Sequence, residues 1–492
     1  MTSSGEKYVA LDLGAESGRA MLGILRDGRL ELTEVQRFAN EPVRVRDSFH
    51  WDSLRLWLEI KRALARVGAE YGPDIAGIGV DTWGVDFGLV DVRGSLLGMP
   101  YHYRDSRTDG ILDKLLERIP AWELYQEVGD AEFGISTLCQ LLAMREQGSP
   151  ALEAAHRLLM TPDLFNFWLS GRQATEETIA GTTQFFDVRT RGWHRELLAR
   201  LDLPAGLLCE LVPTGTVLGP LLPSLAKEVG LGRVPIVAPA CHDTSSAFAA
   251  TPTQETTFTA ISSGTWSIIG CELSQPLLSK EAMDSQYLNE TAARGKILLA
   301  RNSTGLWPLQ ECRREWRNSG HDWSYADLTA MAAEADPFIA ILDPDAPEFA
   351  KPEAMTARIQ SFCRRTGQAE LPDPAAIVRA LLEGLALRYR KSIRDLEMLT
   401  GRPTETIHIL GGGSRNRLLC QFTAAATGCP VLSGPAEATA AGNVLLQALA
   451  CGSLSSLADV RAVVSRSFSN LACEPPAGPA WDDAYDRFLH LA

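Results

Sequence analysis

The chain has 492 residues, and 47 Lys and Arg stand against 61 Asp and Glu, a formal charge of −14. That balance excludes a nucleic-acid binder coated in basic residues. At roughly 150 residues per domain the length supports two large domains or about three ordinary ones, and 45% hydrophobic with 22% charged residues describe a folded globular chain, not a disordered one.

Ten cysteines contain no C-x-x-C pair. Neither a zinc site nor a redox motif is signalled, and reduced, mostly buried thiols are expected. The start, Met1-Thr2-Ser3-Ser4-Gly5-Glu6-Lys7, lacks a basic stretch followed by an apolar core, and no run of about 18 apolar residues occurs elsewhere. The expectation is a cytoplasmic protein without a membrane span.

In chain order, residues 7–13 read as an apolar strand, 14–18 as a turn of small residues and 20–25 as a return strand. Asp27-Gly28 then turns the chain into a third strand over 29–38, a β-meander. Asp52 is placed to cap a helix over 53–70, whose buried face is predicted from Leu54, Leu56, Trp57, Ile60, Leu64 and Val67. Strands follow at 75–80 and at 235–238, the latter just before His242-Asp243-Thr244.

The second half repeats the opening: a strand at 257–261, a polar turn Ser262-Ser263-Gly264-Thr265 and a strand at 266–270, about 250 residues after the first hairpin. Asp373-Pro374 opens a long amphipathic helix to Leu399 that Gly401 closes. A strand at 406–410, a loop Gly411-Gly412-Gly413, a cap at Ser414, a helix at 417–427 ended by Gly428 and a helix at 438–450 complete the pattern. Strands alternating with helices in both halves predict α/β domains with mixed sheets. One boundary is expected near Thr251-Pro252-Thr253, giving domains at 1–250 and 251–492.

Several segments carry candidate chemistry. The hairpin Asp12-Leu13-Gly14-Ala15-Glu16-Ser17-Gly18-Arg19 offers backbone N–H groups that small residues leave open to a phosphate, although it is not a P-loop. Asp12 at its strand end either caps the turn or is aimed at a cation. An ordinary glycine-rich hairpin is the alternative for this segment and for Ser262-Ser263-Gly264-Thr265. Two such hairpins plus a third glycine loop are what a nucleotide clamp would require. Asp243 at a strand end either caps a helix or accepts a proton from an attacking hydroxyl, for which an ordinary pKa suffices. The segment Asp81-Thr82-Trp83-Gly84-Val85-Asp86-Phe87 reads either as a turn with surface aspartates or as a sugar site of aromatic face and carboxylates. Tyr103-Arg104-Asp105-Ser106-Arg107-Thr108 either adds donors there or is a solvated ion-pair cluster.

Together these motifs resemble the FGGY carbohydrate kinases, within the fold class shared by hexokinase, actin and Hsp70. The Asp12 hairpin looks like the family's first phosphate motif, Ser263-Gly264-Thr265 its second, and Gly411-Gly412-Gly413-Ser414-Arg415-Asn416 its adenosine motif. Residues 81–87, 103–108, 242–244 and 262–267 are most similar to the subgroup that acts on L-rhamnulose. The resemblance spans about residues 8 to 452. It implies an α/β fold of two duplicated actin/hexokinase/ribonuclease-H-like domains with an interdomain active-site cleft. It also implies ATP and Mg2+ as cofactors, a small-molecule ketose as partner with neither nucleic acid nor membrane, and transfer of a phosphoryl group to the ketose O1. L-fuculose and L-xylulose are the alternative ketoses, and an actin- or Hsp70-like ATPase without sugar chemistry is the alternative class.

Residue by residue, the resemblance makes Asp243 the proton acceptor and places Gly84, His242, Thr244 and Asn302 on the ketose. It places Ala15, Glu16, Ser17, Gly18, Arg19, Thr265, Gln310 and Gly412 on the nucleotide, and turns Asp12 toward Mg2+. Glu16 departs from the small or hydroxyl residue usual in such loops, and faces Mg2+, a water or Arg19 in the alternatives left open.

Overall fold

Tyr8 to Leu11, a run without a charged residue, lies at the centre of strand β1 (Glu6–Leu13), and these residues are fully buried. Such a run suits a strand flanked on both sides and covered above and below. The computed structural model, which describes residues 5–131, 133–255, 258–476 and 479–491, shows that arrangement. β1 pairs antiparallel with β2 (Ser17–Arg26), which pairs antiparallel with β3 (Arg29–Ala39), and β1 pairs parallel with β4 (Gly77–Thr82). Adding β5 (Thr216–Pro220) and β6 (Pro235–Ala238) gives a mixed sheet in the order β5-β6-β4-β1-β2-β3. The β2–β3 turn is held by Asp27 at φ 52° and Gly28 at φ 68°, the paired left-handed conformation of a tight hairpin.

The helix Ser53–Tyr71 begins where its cap requires, with Asp52 accepting from Arg55 N at 3.0 Å. Its buried stripe is Leu56, Ile60, Ala63, Leu64 and Val67. Leu54 is 64% exposed and Trp57 only partly covered, so the predicted face was too wide. At 100° per residue, Leu54 lies about 200° from Leu56, on the solvent side. The helix Ala438–Ala450 covers β1 and β4. It approaches because Gly77 and Gly79 leave room: a Cβ at Gly79 would lie 2.6 Å from Asn443 Oδ1.

A second sheet carries β7 (Thr259–Ser263), β8 (Trp266–Leu273), β9 (Ile297–Thr304), β10 (Ile407–Leu410), β11 (Val431–Ser433) and β12 (Leu471–Cys473), in the order β9-β8-β7-β10-β11-β12, with the strand Leu288–Thr291 at the edge beside β9. The expected strand at 257–261 begins at Thr257, which lies outside the described residues. β7 instead runs on to Ser263, because Ser262 and Ser263 pair with Ile268 and Ser267. The hydroxyls of Ser263 and Ser267 meet the buried Tyr389 hydroxyl at 3.2 and 2.7 Å. Tyr389 belongs to the helix Pro374–Thr400, capped by Asp373 and closed by Gly401 at φ 66°.

Gly412–Arg415 forms a single 3₁₀ turn where a loop was expected. Ser414 does not cap the next helix. Its hydroxyl donates to Gly411 O at 2.7 Å, and the helix Arg417–Thr427 is capped by Asn416, which accepts from Leu419 N at 3.0 Å.

The chain divides into two compact units. One comprises Met1–Ala250, Glu272–Leu299 and Ala438–Ser467; the other comprises Thr251–Cys271, Ala300–Glu437 and Phe468–Ala492. The boundary expected near residue 251 is the first of five points at which the chain passes from one unit to the other, and two of these fall inside β8 and β9. All ten cysteines are free thiols and eight are buried. Among the described residues no helix is long and apolar enough to cross a membrane.

Candidate active site

In the first unit, strand pairing brings together acids that are far apart in sequence. The parallel register of β1 and β4 sets Asp12 beside Asp81, and the antiparallel register of β1 and β2 sets Asp12 opposite Arg19. Thr82 N donates to Cys241 O at 2.9 Å, and Thr82 bridges to His242 in the parallel sense. Asp12, Asp81 and the His242-Asp243 pair therefore lie at the carboxyl ends of neighbouring strands, where open α/β sheets bind ligands.

Arg19 Nε and Nη2 both reach Asp12 Oδ2 at 2.8 Å. Asp81 is fully buried and accepts from Asn443 Nδ2. Burial pushes the Asp81 carboxyl well above the usual range, and the nearby Asp12 and Asp243 add to the effect while Asn443 opposes it.

Asp243 opens the helix Asp243–Ala249. His242 stands at the cap position without a side-chain capping bond, and Asp243 accepts from its neighbour Thr244, N at 2.6 Å and Oγ1 at 3.3 Å. The capping role open to Asp243 in the sequence is not the one it has. Its side chain is 32% exposed against 5% for Asp12, so a ligand can reach it. An ordinary pKa was sufficient for Asp243, yet burial raises it; His242 offsets part of that and Asp12 adds to it. Thr244 is buried beneath.

The backbone of this loop is held by residues that the sequence did not single out. Cys241 N donates to Glu176 Oε2 at 3.1 Å, His242 N donates to Thr178 Oγ1 at 3.1 Å, and Thr214 Oγ1 donates to Glu176 Oε1 at 2.6 Å. Burial pushes Glu176 up to about 7, against the pull of those donors.

Gly84 packs against Thr182, where a Cβ would lie 2.9 Å from the Thr182 methyl, and Val85 N donates to Thr182 Oγ1 at 3.0 Å. The aspartates around it are neither on the surface nor open to sugar hydroxyls. Asp86 is fully buried and accepts from Trp51 Nε1 at 2.5 Å, Trp83 Nε1 at 2.9 Å and Gln140 Nε2 at 2.9 Å. Burial lifts Asp86 to about 6 even with those donors. Arg107 is likewise not in a solvated cluster: it donates to Gln140 Oε1 at 2.7 Å and lies 3.8 Å from the Tyr101 ring centroid. Asp86 is the anchor of a packed aromatic stack in which Trp51 meets Trp83 at 4.0 Å and His102 at 4.2 Å.

The first hairpin turn is closed by Gly14 N donating to Ser17 O at 3.0 Å and braced by Asn40, whose Nδ2 donates to Gly14 O at 2.9 Å. Ala15 and Ser17 are partly covered and Glu16 is exposed at the tip. Gly18 is buried where a Cβ would overlap the Phe38 ring.

In the second unit, Gly264 O accepts from Leu306 N at 2.8 Å, and Thr265 O accepts from Gly305 N at 3.0 Å and Trp307 N at 3.3 Å. The second hairpin is thus joined to the start of the helix Trp307–Asn318, whose first turn carries Gln310. Gln310 Oε1 is buried and meets no donor among the described residues. Gly411 and Gly413 pack on Ser263, where a Cβ at Gly413 would overlap the Ser263 hydroxyl, while Gly412 faces open space. Thr265, Gln310 and Gly412 therefore all lie on segments that close on the Ser263–Thr265 turn. Asn302 is half-buried on β9, and its neighbour Ser303 donates to Asp345 Oδ1 at 2.9 Å.

Three of the four residues expected on the ketose (Gly84, His242, Thr244) belong to the first unit and Asn302 to the second. Glu176, Asn443 and Glu290, whose Oε2 lies 3.3 Å from His242 Nδ1, were not found from sequence. Only Asn443 left a trace there, as one of two amides four residues apart, with Gln447, in a helix of small apolar residues.

Models of the FGGY family of carbohydrate kinases match residues 7–249 (N-terminal domain) and 259–451 (C-terminal domain). The chain is 41% identical to rhamnulokinase from Bacteroides thetaiotaomicron over 98% of this chain and 99% of that one, and 35% identical to rhamnulokinase from Oceanobacillus iheyensis over 94% and 96%. In fold it is similar to the ligand-bound xylulose kinase of Lactobacillus acidophilus, with a TM-score of 0.82 at 16% identity over 99% and 96% of the two chains. Plasmodium falciparum glycerol kinase with ADP is similar with a TM-score of 0.78 at 14% identity over 99% and 97%. With both family models matched in order along most of its length, the chain belongs to the FGGY family of carbohydrate kinases and is an ATP-using sugar kinase.

Proposed function

We propose that this kinase transfers the γ-phosphoryl group of ATP to O1 of L-rhamnulose, giving L-rhamnulose 1-phosphate and ADP in the cytoplasmic breakdown of L-rhamnose. The observation that carries the substrate is the 41% identity, along nearly the full length of both chains, to a protein named rhamnulokinase. Residues 1–250 supply most of the ketose site and the first phosphate hairpin, and residues 251–492 supply the second hairpin and the adenosine site.

Asp243 is the proton acceptor in this reading. It orients the O1 hydroxyl and takes its proton as O1 attacks phosphorus and the bond to the ADP oxygen breaks. Its accessible carboxylate at a strand end supports that role. Gly84, His242, Thr244 and Asn302 contact the ketose. Ala15, Glu16, Ser17, Gly18 and Arg19 attend the phosphates, and Thr265, Gln310 and Gly412 attend the rest of the nucleotide. The unmet Gln310 Oε1 and the open space over Gly412 suit such contacts.

Among the described residues no three His, Cys, Asp or Glu groups could hold a metal ion by themselves. Asp12, shared with Arg19 at 2.8 Å, fits Mg2+ held mainly by phosphates and water, the usual habit of that ion. When bound, Mg2+ would neutralise phosphate charge.

The test is ADP release from Mg-ATP with L-rhamnulose, L-fuculose, L-xylulose, D-xylulose or glycerol, and with no sugar. L-rhamnulose is expected to give the highest kcat/KM by at least tenfold. A higher value for another ketose overturns the substrate, and sugar-independent turnover alone overturns the kinase chemistry.

A further inference from the structure

We infer that Glu290 is a positioning residue for phosphoryl transfer, gripping the His242 imidazole so that its other nitrogen faces Asp243. The inference rests on the reading of Asp243 as proton acceptor. His242 Nδ1 lies 3.3 Å from Glu290 Oε2, and Nε2 lies 3.5 Å from Asp243 Oδ1. The ring is 11% exposed and Glu290 16%, so the contact is shielded from bulk water.

Both ends of the contact are held. Glu290 sits on the strand Leu288–Thr291, pinned on one side by Asn289 N donating to Gly129 O at 2.9 Å and on the other by Ser245 Oγ donating to Thr291 O at 3.0 Å. The His242 backbone is held through Thr178 and Glu176. The ring can therefore turn only by breaking its contact with Glu290.

The site needs such a device because of its charge. Asp243 shares its surroundings with Asp12 and Asp81, and both repel the proton-accepting form of its carboxylate. Arg19 is already engaged by Asp12. Of the titratable groups facing His242, Glu290, Asp243 and Glu176 are all acids. Burial alone disfavours the imidazolium, but Glu290 and Asp243 outweigh it and raise the His242 pKa. A cationic His242 keeps Asp243 ionised among acids, the role a carboxylate–histidine pair performs when it orients a catalytic group. No bond is made or broken in this step; a proton is held at the imidazole.

The test is Glu290→Gln, which keeps shape and removes charge. In protein carrying 13C-labelled histidine, the His242 resonance, assigned as the one missing from His242→Gln, is expected to titrate above the ordinary value of about 6.5 in the native chain. In Glu290→Gln it should titrate at least one unit lower. With less cation beside it Asp243 holds its proton to higher pH. The kcat/KM deficit of the variant should then be at least fivefold larger at pH 6 than at pH 9, with the KM for ATP unchanged.

A deficit equal at all pH values, or an unchanged His242 titration, overturns the inference. If Glu290→Gln does not fold, the native titration decides: a value at or below about 6.5 overturns the inference and a higher one supports it. If no sugar supports turnover the proton-acceptor reading fails, while the two titrations still test the Glu290 contact.

Discussion

The strand ends of the first unit and the hairpin turn of the second are built from opposite materials. The first crowds Asp12, Asp81 and Asp243 together at the ends of neighbouring strands and leaves two of them with carboxyls raised by burial. The second is made of serine, threonine and glycine, and its closest contacts are backbone hydrogen bonds from residues 305–307 and glycines packed on Ser263. Groups that must hold or release a proton are side chains with tuned environments. Groups that only cradle a ligand can be main chain, which keeps its charge state at any pH. The first region should therefore be sensitive to charge and pH, and the second to added volume.

Asp243→Asn tests the first half of that contrast most severely. Shape is kept and the proton acceptor is lost, so kcat should fall about 10²-fold or more while the KM for ATP changes little. Steady-state kinetics with L-rhamnulose check this, and an unchanged kcat would remove Asp243 from its role.

Glu176→Gln tests it through stability. The buried carboxyl titrates at about 7, against about 4.3 for an unfolded glutamate. Between those values the native state holds a proton that the unfolded state has released. Stability from this group is present below about pH 4 and is lost as pH rises through about 7, by on the order of 3 kcal/mol. Urea unfolding at pH 5, 6, 7 and 8 should show a native stability that falls with pH and a flatter profile in the variant. Parallel profiles would mean that Glu176 does not titrate in this range.

The glycine turn gives the smallest effects and the sharpest control. Gly413→Ala must push a methyl into Ser263, which should cost about 2 kcal/mol of stability and raise the KM for ATP. Gly412→Ala meets open space, so its stability should stay within about 0.5 kcal/mol of the native protein, with any effect confined to the KM for ATP. Equal destabilisation by both would show that backbone conformation, not packing on Ser263, sets the turn.

Much of the framework was legible because it depends on neighbours in sequence. Asp52 and Asp373 cap the helices they were expected to cap, Asp27-Gly28 turns β2 into β3, and Gly401 and Gly428 end their helices in the left-handed conformation. Each is decided within a turn or two of chain. The same local reading misassigned Ser414, because Asn416, directly before the helix, was an equally good cap. It gave no sign that the chain passes between units inside β8 and β9, since a continuous strand shows no break in composition there.

The sequence by itself determined which residues are available for chemistry: the two hairpins, the glycine turn, the His242-Asp243-Thr244 segment and the family they mark. Tertiary structure alone decided what those residues face. Asp86 was open to a sugar-binding reading until two indoles and Gln140 were found to occupy its oxygens. Asp12 acquired Arg19 through an antiparallel register, and His242 acquired Glu290 from 48 residues downstream. The physical reason is that a carboxylate's proton affinity is set by the charges, donors and water within a few ångströms of it, and pairing between distant strands brings those neighbours together.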